Sequence, residues 1–152
     1  MGYELGKRSK QRLEGVHPDL VAVVKLAISR SNKDFTVLEG LRSVDRQKEL
    51  VATGKSKTMN SRHLNGHAVD IAPWPISWEW EDYYPIADVI KECAEELGVE
   101  LEWGGAWHIK PFYLWEGSSK SAHEAYIEER ESQGRKPFGD APHFQLSRST
   151  YP

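Results

Sequence analysis

The sequence predicts an α+β fold, a small antiparallel sheet packed with helices. Three observations carry that reading. Helical periodicities and β-prone runs alternate irregularly, without the regular rhythm of βαβ units. The strand candidates are short, and the links late in the chain are of hairpin size. The length, 152 residues, suits one domain around one core, so residues 1–152 are expected to form a single domain.

Each element follows from local signals. Pro18 and Asp19 suit a first helical turn, and Leu20, Val21, Val24, Ala27 and Ile28 continue at helical spacing. Asn32-Lys33-Asp34 makes a turn, and residues 35–39 are a β-prone run closed or bent by Gly40. Ser43 can cap a helix over about 44–52, with Gly54 just past its end. Residues 53–65 are polar and turn-rich, a loop. A buried strand is expected over 67–72. Its alternation puts Ala68, Asp70 and Ala72 on one face and His67, Val69 and Ile71 on the other. Ile86, Val89, Ile90, Cys93, Ala94 and Leu97 form an amphipathic stripe, so a helix covers about 82–97 and stops at Gly98. Residues 99–103 read as a strand before the Gly104-Gly105 turn. Ser121-Ala122-His123-Glu124 is a capping box opening a solvated helix over 121–133. Residues 143–146 form a last strand. The stretch 108–138 reads as an inserted surface segment.

Composition excludes several classes. With 39% hydrophobic and 28% charged residues the chain is globular rather than disordered. No apolar run approaches the roughly 20 residues of a membrane helix. Charges near the N-terminus are not followed by an apolar segment, so no signal peptide is expected. Cys93 is the sole cysteine, which removes internal disulfides and Cys-rich zinc modules, and its place on the stripe reads as core. A formal charge of −3 argues against phosphate-based nucleic-acid binding, and 20 Lys+Arg against 23 Asp+Glu suggests no basic groove. The six tryptophans all lie between Trp74 and Trp115, a clustering that suggests a lined groove or core packing.

Two segments can carry chemistry. In Ser61–Asp70, a carboxylate lies within an apolar strand and among small alanines. Such a group needs a basic partner, hydrogen bonds or a metal. His63 and His67 are four apart, like the histidines of a helical zinc protease, but no Glu follows His63 and Gly66 disfavours a helix. In Asp140-Ala141-Pro142-His143, proline extends the chain and delivers Asp140 and His143 at a strand entry. Two histidines and one aspartate would make an N/O zinc set with a position open for water. Asp140 would then be a nearby carboxylate free to move protons. The plainer alternative is a packed histidine and a turn aspartate.

Taken together, Ser61-x-His63-x-x-Gly66-x-Ala68-x-Asp70 and the later Asp140-x-x-His143 resemble the zinc peptidases of the D-Ala-D-Ala carboxypeptidase/Hedgehog group. Leu41-Arg42-Ser43 with Gln47 resembles that group's upstream arginine motif. Trp103-Gly104-Gly105-Ala106-Trp107 resembles an element of its cell-wall-lysing members, with Ala106 where those often carry Asp. The resemblance spans roughly residues 5–146 and is greatest to phage L-alanyl-D-glutamate endopeptidases, the endolysins.

That resemblance implies a Hedgehog/DD-peptidase-like fold. It implies Zn2+ held by His63, Asp70 and His143, with Asp140 as acid/base. Arg42 would stabilise an oxyanion or hold a substrate carboxylate. Trp107 and Gln47 would contact substrate. The implied function is a bacteriolytic, zinc-dependent peptidoglycan hydrolase cleaving the L-alanyl-D-glutamate bond of the stem peptide. A D-Ala-D-Ala carboxypeptidase or dipeptidase and a non-catalytic zinc-bearing module are the alternatives. The expected partner is peptidoglycan, with no nucleic acid and no membrane insertion. A monomer is expected, held in the host cytoplasm until lysis releases it to the wall.

Overall fold

The computed structural model describes residues 2–152. Among these, four short strands form one antiparallel sheet: β1 (Phe35–Glu39), β2 (Ala68–Pro73), β3 (Leu101–Trp103) and β4 (His143–Leu146), in the order β1-β2-β4-β3. The helices are α1 (Lys7–Arg12), α2 (Pro18–Arg30), α3 (Val44–Ala52), α4 (Trp80–Leu97) and α5 (Ser119–Ser132). The α+β class is as the sequence predicts.

Strand alternation divides the sheet into a dry face and a polar one. Phe35 and Val37, Val69 and Ile71, Leu101 and Trp103, and Phe144 and Leu146 belong to the main core. That core also takes the apolar stripes of α2 (Leu20, Val23, Val24, Ala27, Ile28) and α4 (Ile86, Ile90, Cys93, Ala94). The intervening residues Asp70, His143, Gln145 and Glu102 share the opposite face. Local chemistry sets the helix starts. His17 Nδ1 accepts the Asp19 N–H (3.0 Å) at the start of α2, and Ser43 Oγ accepts the Arg46 N–H (3.0 Å) at the start of α3.

Several boundaries differ from the sequence reading. Helix α1 was not anticipated, because its six residues KRSKQR carry no apolar period. Within the 53–65 loop, Arg62–Asn65 form a 3-10 turn capped by Ser61, whose Oγ accepts the His63 N–H (3.2 Å). Gly66 ends that turn at φ +75°, a conformation that suits glycine. Strand β3 starts at Leu101, and α4 already at Trp80. Leu97 is 44% exposed, since the stripe has run past the core by the last residue of the helix. Ser118, rather than Ser121, caps α5: its Oγ accepts the Ser121 N–H (3.1 Å), while the Asp88 carboxylate accepts the Ser119 N–H (2.7 Å) and anchors an earlier start.

Helix α5 is not solvated all round. Ala122, His123 and Tyr126 are buried. The His123 ring stacks on Trp80 (3.9 Å, 14°), and its Nδ1–H donates to the Gly105 carbonyl (2.7 Å). The tryptophans divide as well. Trp103 is fully buried, Trp80 and Trp115 pack at the edge of the core, and Trp74 and Trp78 are exposed.

Phe144 joins the core to the strand that carries His143. Phe144→Ala is expected to cost about 3–5 kcal/mol, the usual range for emptying a buried aromatic site. Urea unfolding measures this, and a loss below about 1 kcal/mol would remove Phe144 from the core.

Candidate active site

Antiparallel register places Asp70 of β2 directly opposite His143 of β4, joining positions far apart in sequence. The 3-10 turn before β2 brings in the third group, His63. Its Nε2 lies 3.3 Å from Asp70 Oδ1, and His143 Nδ1 lies 3.1 Å from the same oxygen. One ligand atom from each of the three residues falls within 4.8 Å of the others, a cluster that could hold a metal ion.

The outer partners of the two rings decide which nitrogens face inward. His63 Nδ1 lies 2.8 Å from the Gly40 carbonyl, which only accepts, so Nδ1 carries hydrogen and Nε2 points its lone pair at Asp70. On the other side, Glu102 Oε1 accepts from Gln145 Nε2 (3.4 Å). That orients the amide so that its Oε1 accepts from His143 Nε2–H (2.8 Å). His143 Nδ1 therefore also presents a lone pair. Two imidazole lone pairs converging on one carboxylate oxygen repel unless a cation or a proton lies among them. The donor set of two nitrogens and one carboxylate suits zinc in type and number.

Electrostatics agree with this picture. Where a proton stands in for the cation the rings become donors: burial alone would raise the Asp70 carboxyl, but hydrogen bonds from His143 and His63 prevail and hold it well below the usual range. Burial alone would lower His143, and the Asp70 carboxylate outweighs it, so His143 is raised. Asp140 is raised by burial, with the Asp70 charge adding to the effect against His143, His63 and Arg42. Asp140 is fixed by its backbone, which donates N–H to the Gly104 carbonyl (2.8 Å) and accepts the His143 N–H (3.1 Å). A side chain at position 104 would collide with the Asp140 carbonyl, which accounts for the first glycine of the Gly-Gly turn.

Arg42 enters from the turn after β1, where its backbone N–H donates to the His63 carbonyl (2.9 Å). Its guanidinium bonds Glu39 through Nε (3.0 Å) and Nη2, and donates through Nη1 to Gln47 Oε1 (2.7 Å). Arg42 Nη2 lies 3.9 Å from Asp70 Oδ2, so the basic partner foreseen for a buried Asp70 is present beside the two histidines. Gln47, expected to touch substrate, is instead fully buried. Its Nε2 donates to Ser56 Oγ (2.9 Å) and the Thr58 carbonyl (2.5 Å), so it braces Arg42 and the 56–58 loop. Trp107 borders the cleft, its ring 5.5 Å from that of His143 and its Nε1–H on the Phe138 carbonyl (2.9 Å). No other tryptophan of the described residues lines the cleft: Trp80, Trp103 and Trp115 serve packing, and Trp74 and Trp78 are exposed.

A family profile for phage L-alanyl-D-glutamate peptidases matches residues 1–130. The chain belongs to the phage L-alanyl-D-glutamate peptidase family. It is 31% identical over 120 residues to the L-alanyl-D-glutamate peptidase of Escherichia phage T5, covering 74% of this chain and 88% of that protein. The crystal structure of the Serratia marcescens L-Ala D-Glu endopeptidase ChiX superposes with a TM-score of 0.74 at 41% identity, covering 96% of this chain and 91% of that one. The profile match includes His63 and Asp70 and stops before Asp140 and His143. The β2–β4 pairing sets His143 opposite Asp70.

Glu39, Gln145, Glu102 and the Gly40 carbonyl complete the site and escaped sequence reasoning. Gln145 had one usable signal, its place two residues after His143 on the same strand face. In the metal-loaded protein Gln145→Leu should weaken metal affinity about 10–100-fold, the usual effect of losing a ligand's outer partner. Competition with a chromophoric chelator reads this, and unchanged affinity would exclude Gln145 from positioning His143.

The coupled groups also set a pH dependence in metal-free protein. Asp70, depressed, contributes stability present above about pH 4 and lost as pH falls through its folded value. His143, raised, contributes stability present below about pH 6.5 and lost as pH rises through its folded value. Tm of chelator-treated protein should therefore fall as pH rises from about 6.5, and Asp70→Asn should flatten that decline. A Tm that climbs across the window would contradict the coupling.

Proposed function

We propose that this peptidase is a zinc-dependent endolysin that cleaves the L-alanyl-D-glutamate bond of the peptidoglycan stem peptide. The observation that carries the reading is the convergence of His63 Nε2 and His143 Nδ1 on one oxygen of Asp70. The raised carboxyl of Asp140 opens into the same cleft. The names of the two relatives support the scissile bond.

His63, Asp70 and His143 would hold the ion. Zinc bound there supplies a Lewis acid that makes water nucleophilic near neutral pH. Asp140 takes the proton from the attacking water and returns it to the leaving amine; a raised carboxyl suits both halves of that shuttle. Arg42 offsets negative charge growing on the carbonyl oxygen. It does so through its field more than a free donor fork, because Glu39 and Gln47 occupy three of its five N–H donors. Trp107 forms one wall for the peptide.

We take residues 1–152 as one catalytic unit acting as a monomer, with substrate binding supplied by the cleft. Among the described residues no helix is long and apolar enough to cross a membrane. We place the enzyme in the host cytoplasm until a separate membrane-permeabilising protein gives it access to the wall.

Digestion of purified peptidoglycan, followed by mass spectrometry, tests the reading. New D-glutamyl amino termini should appear with zinc and vanish with chelator; free D-Ala instead would mark a carboxypeptidase. Asp140→Ala should keep stoichiometric zinc and lose about 10²–10⁴-fold in turnover, and full activity in that variant would sink the assignment.

A further inference from the structure

The cleft extends well beyond the three ligands. It encloses about 1440 Å³. One side is the loop after α3, and the other is the segment after α5. They approach each other where the Lys57 ammonium lies 5.4 Å from the centre of the Phe138 ring.

The charge of this cleft runs opposite to that of the chain. Ten lysines and arginines line it against four carboxylates, although the formal charge of the whole is −3. The whole-chain balance, which suggests no basic groove, therefore misleads: acidic residues lie elsewhere and basic ones collect here. Three of the ten have acidic partners. Arg42 meets Glu39, Arg46 meets Glu49 (3.2 Å), and Lys110 lies near Glu102 (3.9 Å). Lys55 and Lys57 on one wall and Arg135 and Lys136 on the other are exposed and form no ion pair among the described residues. Like charges held on both sides of a concave surface focus a positive potential into it, which raises the local concentration of anions.

We propose that Lys55, Lys57, Arg135 and Lys136 form a carboxylate-binding rim for the acidic side of the stem peptide. This rests on the peptidase reading above and names the substrate feature that the cleft selects. A glutamate within a chain keeps one carboxylate ionised, whichever carboxyl carries the chain onward. The peptide's C-terminus adds another. Such a strand carries at least two negative charges on the leaving side of the scissile bond, and two opposed cationic walls can take it between them. The rim also gives the segment after α5 a role: it builds the second wall and delivers half of the cations.

Two soluble stem peptides test the rim with the zinc-loaded enzyme: one with free carboxylates, the other with the D-glutamyl and terminal carboxylates amidated. The wild type should prefer the free form by about tenfold or more in kcat/KM, with the difference carried by KM and shrinking as salt is raised. The quadruple variant Lys55→Gln, Lys57→Gln, Arg135→Gln, Lys136→Gln should lose that preference, with KM rather than kcat affected. Because these side chains are exposed, its Tm should match that of the wild type. Retention of the full preference by this variant overturns the rim while leaving the peptidase reading intact. So does equal cleavage of both peptides by the wild type. A short DNA duplex that inhibits the wild type at lower concentration than the free peptide would show that the rim reads phosphate, and overturns it too. Cleavage of neither peptide overturns the peptidase reading and the rim with it.

Discussion

The pairing of β2 with β4 is the constraint on which the rest depends. One residue of slip would send Asp70 or His143 to the dry face and put a core side chain into the cleft. The register is held from the dry side: Val69 and Ile71, Phe144 and Leu146 can be buried only when Asp70 and His143 face the other way. Hydrophobic burial of one face thus aligns the chemistry on the other. The site inherits its geometry from the core.

Around that pairing the polar groups are arranged from the outside inward. Glu102 orients Gln145, which orients His143; the Gly40 carbonyl orients His63. Glu39 and Gln47 hold Arg42 near the Asp70 carboxylate. The result is a polar cluster whose lone pairs converge, which is costly unless a cation or proton is shared among them. In metal-free protein a proton held between His143 and Asp70 relieves that cost at low pH, and the cost returns as pH rises. The large core on the other face of the sheet offsets the cost.

The cleft shows how a local charge pattern can oppose a global one. Net charge governs solubility and long-range behaviour, while a concave surface responds to the charges on its own walls. The α3–β2 loop and the segment after α5 are distant in sequence, and neither alone contains an obvious basic run. Only their approach across the cleft turns scattered lysines and arginines into one surface.

The fold class, most elements and the identity of the converging groups are legible in the amino-acid order. Helix and strand periods are local, as in the α4 stripe and the alternation through Val69, Asp70 and Ile71. The spacing of His63, Gly66, Ala68 and Asp70 is local too, and so is the pair Asp140 and His143. Tertiary structure decided the rest. Gln47 looked like a substrate contact but is sealed beneath Arg42, because burial depends on what packs above a residue and not on its neighbours in the chain. Ser118 displaced Ser121 as a cap once Asp88 of α4 reached the start of α5. Gln145, Glu102 and Glu39 are ordinary residues in sequence. Their function comes from facing the histidines and Arg42 across strands and turns, and those distances exist only once the sheet has formed.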